Sequence, residues 1–231
     1  LMNNFKSVFL FSVLAVRLFH SDQASSADWP QAAGPNYDWT VKTDEPVPTS
    51  WSVEKGQNIR WRIPLPETGQ SGIAVWGDRL FLTTMKPLAA DAKLRKGTDI
   101  VIYCVSATDG KILWQHGLPG DPKALSIYAY GFSSSSSPTP ITDGKLVWFW
   151  NASGRIGCWT VDGEEVWTRK WTPTLGRPFN KQYEPIKVGN TLIYVEPLDP
   201  HDSQRPEHAG NSLPATHPQT DSSPGTAHER T

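Results

Sequence analysis

The run GFSSSSSPTP, from Gly131 to Pro140, sets five consecutive hydroxyl groups where a serine nucleophile could act in acyl transfer. A nucleophilic serine of the α/β-hydrolase kind occupies a G-x-S-x-G turn, and the run contains no such turn. The serines come just before a predicted innermost strand, where small side chains fit a crowded channel. The sequence therefore favours a structural loop here over a catalytic one.

Cysteine and histidine are the other residues that could carry chemistry. Cys104 and Cys158 take matching places before two Asp-Gly turns, and an exported protein could join them in a disulfide. Equivalent strands of neighbouring sheets lie about 10 Å apart, beyond disulfide reach, so we expect buried free thiols. Of the six histidines only His116 falls in a predicted strand. We therefore predict no catalytic, cofactor-binding or metal-binding residue.

Two further features could be mistaken for functional sites. The strand residues Trp148, Phe149 and Trp150 could form a ligand platform, but they alternate between the two faces of a strand and favour packing between sheets. Asn151 begins an N-x-S glycosylation signal, yet it lies at a predicted strand end and is discounted.

The overall charge argues against nucleic acid as a partner. The chain has 22 basic and 23 acidic residues and a formal net charge of −1. A nucleic-acid-binding domain carries a basic patch that releases counterions from phosphates, and none is evident.

The first 27 residues resemble an export signal, although a disordered N-terminus is the alternative. Lys6 precedes a nine-residue apolar stretch, Val8 to Val16, which is long enough for secretion and too short to span a bilayer. Small residues then precede Asp28. We predict a signal peptide over 1–27, a periplasmic or extracellular protein, and no transmembrane segment.

Short alternating strands joined by tight turns make up the rest of the chain. Residues 28–57 are turn-rich and predict an extended N-terminal arm, and 58–63 predict a short lone strand. Four strands, then four more, then two, follow up to residue 200. The predicted strands are 71–76, 79–85, 98–106, 111–117, 137–142, 145–151, 155–161, 164–171, 183–188 and 191–197. Residues 201–231 lose all aromatic residues and predict a disordered tail.

Three tryptophans, Trp61, Trp114 and Trp167, recur at intervals of 53 residues, the last two just after the Gly110 and Gly163 turns. Repeats of this length with four antiparallel strands predict β-propeller blades, whereas a β-sandwich would not explain the spacing. We predict an all-β, partial propeller with two full four-stranded blades plus strands of their neighbours. These five residues are expected to dock one blade on the next.

With these residues in hand, the chain resembles the pyrroloquinoline-quinone-like (PQQ-like) β-propeller repeat family, which includes quinoprotein dehydrogenases and the outer-membrane assembly lipoprotein BamB. The family docking motif Ala-x-Asp-x-x-Thr-Gly-Lys-x-x-Trp is similar to CVSATDGKILW, which keeps Gly110, Lys111 and Trp114. CWTVDGEEVW keeps Gly163 and Trp167. The segments WPQAAGPN, VPTSWS and WRIPLPETG follow the order seen in exported bacterial members.

The resemblance covers residues 28–200, and it implies the fold more strongly than a function. A quinone enzyme of this family carries a catalytic Asp, Ca²⁺ ligands and often a vicinal disulfide, and no stretch here matches them. The resemblance implies an exported, non-catalytic binding or scaffold module of the cell envelope, with a protein or glycan partner. The alternative is a fragment of a PQQ-dependent quinoprotein oxidoreductase.

The repeats also look too few to close a ring, since propellers have about four to eight blades. Two full blades and two strands of a third precede the polar tail, so we expect a truncated propeller. Exposed strand edges are templates for pairing with another chain. The open blade edges therefore favour self-association.

Overall fold

The computed structural model describes residues 28–40, 42, 46–90, 97–122, 134–170 and 184–194, together with the backbone of 211–214. Every regular element in these ranges is a β-strand, and all strand pairs are antiparallel. In these ranges no helix is long and apolar enough to cross a membrane. The predicted signal peptide, residues 1–27, lies outside the described residues.

The first sheet contains four consecutive strands in the order of the chain. They are β1 (Ala74–Trp76), β2 (Arg79–Met85), β3 (Ile100–Ser106) and β4 (Ile112–Leu118). A two-residue turn joins β1 to β2, and Gly77 takes a φ of 57° there, which a side chain with a Cβ rarely adopts.

The second sheet repeats this arrangement. Its strands are β5 (Ile141–Thr142), β6 (Leu146–Asn151), β7 (Arg155–Thr160) and β8 (Glu165–Lys170), again paired in chain order. These two sheets are the two full blades that the turn spacing predicts.

A third sheet has three strands, ordered β11-β10-β9, with β9 at Ile186–Val188, β10 at Thr191–Tyr194 and β11 at Asn211–Pro214. β11 corrects the prediction of a disordered tail over 201–231 at these four residues. The pairing of β11 with β10 uses main-chain groups, which a hydrophobic pattern does not report. The rest of the predicted tail lies outside the described residues.

The fourth strand of each full sheet carries a β-bulge just before its tryptophan. Val105 pairs with Ile112 and Cys104 with Trp114, which leaves Leu113 as the extra residue. In the second sheet Trp159 pairs with Glu165 and Cys158 with Trp167, so Val166 is the extra residue. A bulge re-aims the side chains beyond it. The matching bulges therefore explain why both motifs place a tryptophan at the same position.

Two hydrophobic clusters fill the spaces between the sheets. Strand β6 contributes to both of them, because Val147 and Phe149 face the first sheet while Trp148 and Trp150 face the third. All four side chains are buried. The aromatic run is therefore packing between sheets, as predicted, and the chain is an all-β partial propeller.

Residues 58–63 depart from the prediction of a short strand. The segment pairs with no strand of the part of the chain that the structure describes, although exposure alternates from Ile59 to Ile63 as it does along a strand on a sheet face. A strand needs a neighbour for its main-chain hydrogen bonds, and no strand of the described residues lies beside this one.

Candidate functional site

The structure brings each of two predicted tryptophans onto a glycine turn of the following repeat. The Trp61 indole Nε1 donates a hydrogen bond to the Ala107 carbonyl at 2.8 Å, and its ring covers Gly110. Trp114 Nε1 donates to the Val161 carbonyl at 2.9 Å, and its ring covers Gly163. The two contacts are equivalent.

Glycine is needed at these turns for two reasons. Gly110 and Gly163 have φ values of 77° and 96°. A Cβ would also lie 2.7 Å from Trp61 at Gly110 and 2.8 Å from Trp114 at Gly163, closer than real Cβ contacts. The glycine of one motif therefore leaves room for the tryptophan ring of the preceding repeat.

Trp167, the third predicted docking residue, lies apart from any such turn. Its ring is buried in the cluster between the second and third sheets, and its Nε1 has no hydrogen-bond acceptor among the residues that the structure describes. In the first two repeats the acceptor follows the third strand of the next sheet. The residues that follow β11 lie outside the described part of the chain.

Further contacts from the first sheet hold the second-sheet turn at Asp162-Gly163. Arg79 donates to the Val161 carbonyl and pairs with the Asp162 carboxylate at 2.7 Å. The His116 imidazole lies 2.8 Å from the Gly163 carbonyl through Nε2 and stacks on Trp159. His116, the one histidine in a predicted strand, therefore packs between sheets.

The two cysteines are free and buried, as expected. Desolvation by burial raises the pKa of Cys104 to about 11 and that of Cys158 to about 12. A thiol with such a pKa stays protonated at neutral pH and is a poor nucleophile or metal ligand. Their chemistry is that of small hydrophobic side chains.

The other candidates from the sequence are also used in packing. Ser134 to Ser137 are buried, and Ser135 Oγ lies 2.7 Å from Ser153 Oγ. Asn151 is fully buried and donates from Nδ2 to the carbonyls of Thr98 and Leu118 at 2.9 and 2.8 Å. An amide committed to two carbonyls cannot act as a glycosylation acceptor in the folded state. No group of three potential metal ligands occurs within the described ranges.

The N-terminal arm, predicted only as an extended segment, runs along the inner edge of all three sheets. Trp29 pairs through its backbone with Val75 of β1. The Pro30 carbonyl accepts a hydrogen bond from the Thr142 amide at 2.9 Å. Lys187 of β9 donates its amide to Gln31 Oε1 at 3.4 Å. One stretch of three residues therefore contacts β1, β5 and β9.

A cavity of about 250 Å³ lies between the arm and the sheets. Its lining includes Tyr37, Trp76, Asp143 and Lys187. Lys187 Nζ is 3.5 Å from Asp143 Oδ2 and 5.6 Å from the centre of the Trp148 ring, so its charge is already paired. The cavity is a junction of the arm with the sheets, with no side-chain charge left to orient an ionic ligand.

The outer part of the arm exposes large apolar side chains that the sequence reasoning did not single out. The aromatic tip of the arm, residues 37–39, exposes 51% of Tyr37 and 67% of Trp39, and Trp51 further along is 69% exposed. Val47 and Val53 are exposed as well. The sequence offered one signal for this exposed surface, which is the presence of aromatic residues in a segment without strand periodicity.

The aromatic tip has a strained backbone that hydrogen bonds hold in place. Tyr37 and Trp39 both have a φ of 61°, in the left-handed region, which costs a non-glycine residue about 1 kcal/mol. Asp38 holds the turn by accepting hydrogen bonds from the Thr40 amide at 2.9 Å and hydroxyl at 2.7 Å, which lower its pKa. Tyr37 donates its hydroxyl to the Lys187 carbonyl at 2.5 Å. The tip is therefore fixed in place, with Trp39 pointing to solvent.

Comparison with known proteins gives partial likenesses of fold among solved structures. No protein-family model matches the chain, and no curated protein matches it. The crystal structure of BamB from Moraxella catarrhalis is similar over 59% of this chain and 37% of that chain, at 20% sequence identity and a TM-score of 0.41. The matched region thus spans a little over a third of that protein.

Proposed function

We propose that this chain is a non-catalytic binding or scaffold module of the cell envelope that captures a protein partner with its arm. The observation that carries the proposal is the exposed aromatic tip, where Tyr37 and Trp39 hold strained backbone conformations. Backbone strain that persists on the surface favours a functional origin, and tryptophan and tyrosine are enriched where proteins bind.

A protein partner fits the chemistry of this surface better than a glycan. In the same segment of the chain as Trp39 and Trp51, the aliphatic side chains of Val47 and Val53 are also exposed. Aliphatic side chains gain by burial against another apolar surface, whereas a sugar would need polar groups around an aromatic ring. The envelope location rests on the predicted signal peptide.

The test is retention of a partner from an envelope extract by the immobilised chain. We expect Trp39→Ala combined with Trp51→Ala to lose at least tenfold in partner retention, with an unchanged melting temperature because both rings are mostly exposed. Leu113→Ala is the matched control, since Leu113 is 48% exposed on β4 and lies outside the arm.

Equal retention by the wild type and the double variant would show that the arm is not the binding surface. Loss of retention after enzymatic removal of glycans from the extract would identify a glycan partner instead. Dye-linked alcohol oxidation after addition of PQQ and Ca²⁺ would favour the quinoprotein alternative over the proposed one.

A further inference from the structure

Two cations stand opposite each other at one end of the second sheet. Arg155 is the first residue of β7, and it pairs across the strands with Lys170, the last residue of β8. Within the described ranges no ion pair engages either side chain. Like charges at directly opposite positions of two antiparallel strands destabilise a sheet. The pair therefore lowers the stability of the free protein, and an anion held between the two cations would offset this cost.

Arg155 also has a buried donor without an acceptor. Its Nε is buried and has no hydrogen-bond partner among the residues that the structure describes. A buried N–H of a charged group is costly to leave unpaired, so almost all such groups in native proteins meet a partner. A partner for this Nε must therefore be supplied from elsewhere, and a ligand of negative charge suits the guanidinium best.

Arg155 and Lys170 line a cavity of about 200 Å³, the charged cavity. The main-chain amides in its lining are already used, because those of Gly120, Asp121 and Gly154 donate to other acceptors at 2.6–3.1 Å. The two cationic side chains are therefore the donors of this lining that can hold a ligand.

The sum of charges in the lining favours a carboxylate over a phosphate group. Asp121 lines the charged cavity together with the two cations, so two positive charges and one negative charge add up to +1. A carboxylate neutralises this sum. A phosphate monoester, with a charge of about −1.5 to −2, would leave excess negative charge beside Asp121. The planar guanidinium of Arg155 also matches the two oxygens of a carboxylate.

An apolar cavity of about 400 Å³ adjoins the charged cavity. Pro122 lines both, and the apolar residues 87–89 line the larger one. Lys86 in this lining lies with its Nζ 3.5 Å from Asp99 Oδ2, so its charge is already paired. Apolar walls next to a small number of polar groups are typical of sites that bind small molecules. An apolar group attached to the carboxylate gains free energy by burial here.

We propose that the charged cavity binds a carboxylate between Arg155 and Lys170, and that the apolar cavity takes an apolar group attached to that carboxylate. Two kinds of molecule share this chemistry, the C-terminal residue of a peptide and a short fatty acid. The site uses no residue of the arm, so it is independent of the partner that the aromatic tip is proposed to capture.

The first test is isothermal titration calorimetry of the full chain at constant ionic strength, with N-acetyl-leucine and with hexanoate as probes. The neutral amides of the two probes are the controls, since they keep the shape and lose the charge. We expect one site per chain and an affinity for the carboxylate that exceeds that for its amide by roughly tenfold or more. Tighter binding of N-acetyl-leucine identifies the C-terminus of a peptide, and tighter binding of hexanoate identifies a fatty acid.

Three outcomes of these titrations would overturn the proposal. The first is that neither carboxylate binds saturably, and the second is that the amides bind as tightly as the acids. The third is that inorganic phosphate binds as tightly as the better carboxylate. Acetate should bind roughly fivefold or more weakly than the better probe, because it leaves the apolar cavity empty. Equal binding of acetate would overturn the role of that cavity.

Single substitutions test which side chains hold the ligand. We expect Arg155→Gln to weaken binding by roughly tenfold or more and Lys170→Gln by roughly threefold or more. Arg169→Gln is the matched control, because Arg169 is exposed on β8, loses the same charge and does not line the cavity. Leu88→Ser should weaken binding of the better probe and leave that of acetate unchanged.

The comparison of Lys170→Gln with Arg169→Gln decides the outcome even where Arg155→Gln folds poorly. Lys170→Gln removes one of two like charges, so its melting temperature without ligand should be no lower than that of the wild type. Equal affinities of these two variants for the better probe would show that the general charge of the sheet attracts the anion, and would overturn the site.

Discussion

At the scale of single residues, the turns require glycine for two different reasons, a positive φ and the close approach of a tryptophan ring. A sequence motif does not distinguish them. Gly163 and Gly189 both have positive φ, at 96° and 56°. A Cβ at Gly163 would meet the Trp114 ring at 2.8 Å, whereas a Cβ at Gly189 would meet nothing within 4 Å. The two positions therefore allow the contribution of the tryptophan contact to be measured.

We predict that Gly163→Ala lowers the free energy of unfolding by roughly 2–4 kcal/mol, the sum of backbone strain and overpacking against Trp114. Gly189→Ala, the matched control, should cost roughly 1 kcal/mol from strain alone. In a Trp114→Ala background, Gly163→Ala should cost less, because the clash is gone. Urea denaturation measures these three costs, and equal costs at the two glycines would refute the proposed role of Trp114 in docking.

The buried thiols predict a loss of stability in alkali. The pKa of Cys104 rises from 9.0 to about 11 and that of Cys158 from 9.0 to about 12, because burial desolvates the thiolate. Above pH 9 the unfolded chain loses these protons while the folded chain keeps them. The free energy of unfolding should then fall by about 1.4 kcal/mol per pH unit for each thiol until the folded pKa is reached.

Denaturation curves between pH 7 and pH 11 test this slope. The double variant Cys104→Ala, Cys158→Ala should show a shallower decline above pH 9, whatever its stability at neutral pH. Parallel declines in the two proteins would mean that other groups cause the alkaline loss.

At the scale of elements, the arm joins the three sheets independently of their hydrophobic cores. The Asp28 carboxylate accepts a hydrogen bond from the Gly77 amide at 2.7 Å, and the contacts of Trp29, Pro30 and Gln31 follow in order along β1, β5 and β9. The arm holds the third sheet at a single position, since Gln31 and Tyr37 both bind the main chain of Lys187.

We predict that Gln31→Ala combined with Tyr37→Phe speeds amide hydrogen exchange in β10 by roughly tenfold, since about 1 kcal/mol or more of hydrogen bonding to β9 is lost. Exchange in β2 and β3 should be unchanged. Ser52→Ala, which removes an exposed hydrogen bond to the Lys55 amide outside the turn of Tyr37, is the control. An equal increase in all three sheets would show that the arm has no special relation to the third.

The sequence predicted the elements that are local and missed those that depend on distant partners. The hairpins of β1–β2 and β9–β10 follow from Gly77 and Gly189 between alternating apolar residues, a pattern contained in about a dozen residues. Residues 58–63 carry a strand pattern but have no strand beside them within the described ranges, whereas β11 pairs with β10 although its sequence shows no hydrophobic alternation. Sequence periodicity reports burial of side chains, whereas strand pairing is made by the main chain.

Only part of the candidate site could be predicted from the sequence. The interval of 53 residues singled out Trp61, Trp114 and the glycine turns, but it could not show that each tryptophan meets the glycine of the next repeat. Tyr37 and Trp39 lie in an aperiodic segment whose conformation is set by contacts with Ala33, Thr40 and Lys187. Such contacts are tertiary and leave no mark on local spacing.

At the scale of the whole molecule, the described part of the chain is a row of sheets in which each packs only on its neighbours. One cluster joins the first and second sheets and another joins the second and third, with β6 between them. Stability in such a row is close to a sum of sheet and interface contributions. The arm is the exception, because it contacts all three sheets at once.

The arm also imposes an order on how the molecule is made. Its residues leave the ribosome before any sheet exists, and the partner of Gln31 in β9 follows 156 residues later. Domains form as they are synthesised, from the N-terminal side. The first two sheets can therefore assemble while Gln31 still lacks its partner and while Trp148 and Trp150 of β6 lack the third sheet that helps to bury them. A nascent chain stalled before residue 184 should be the species that needs a chaperone most, and release of the third sheet is the event that ends this need.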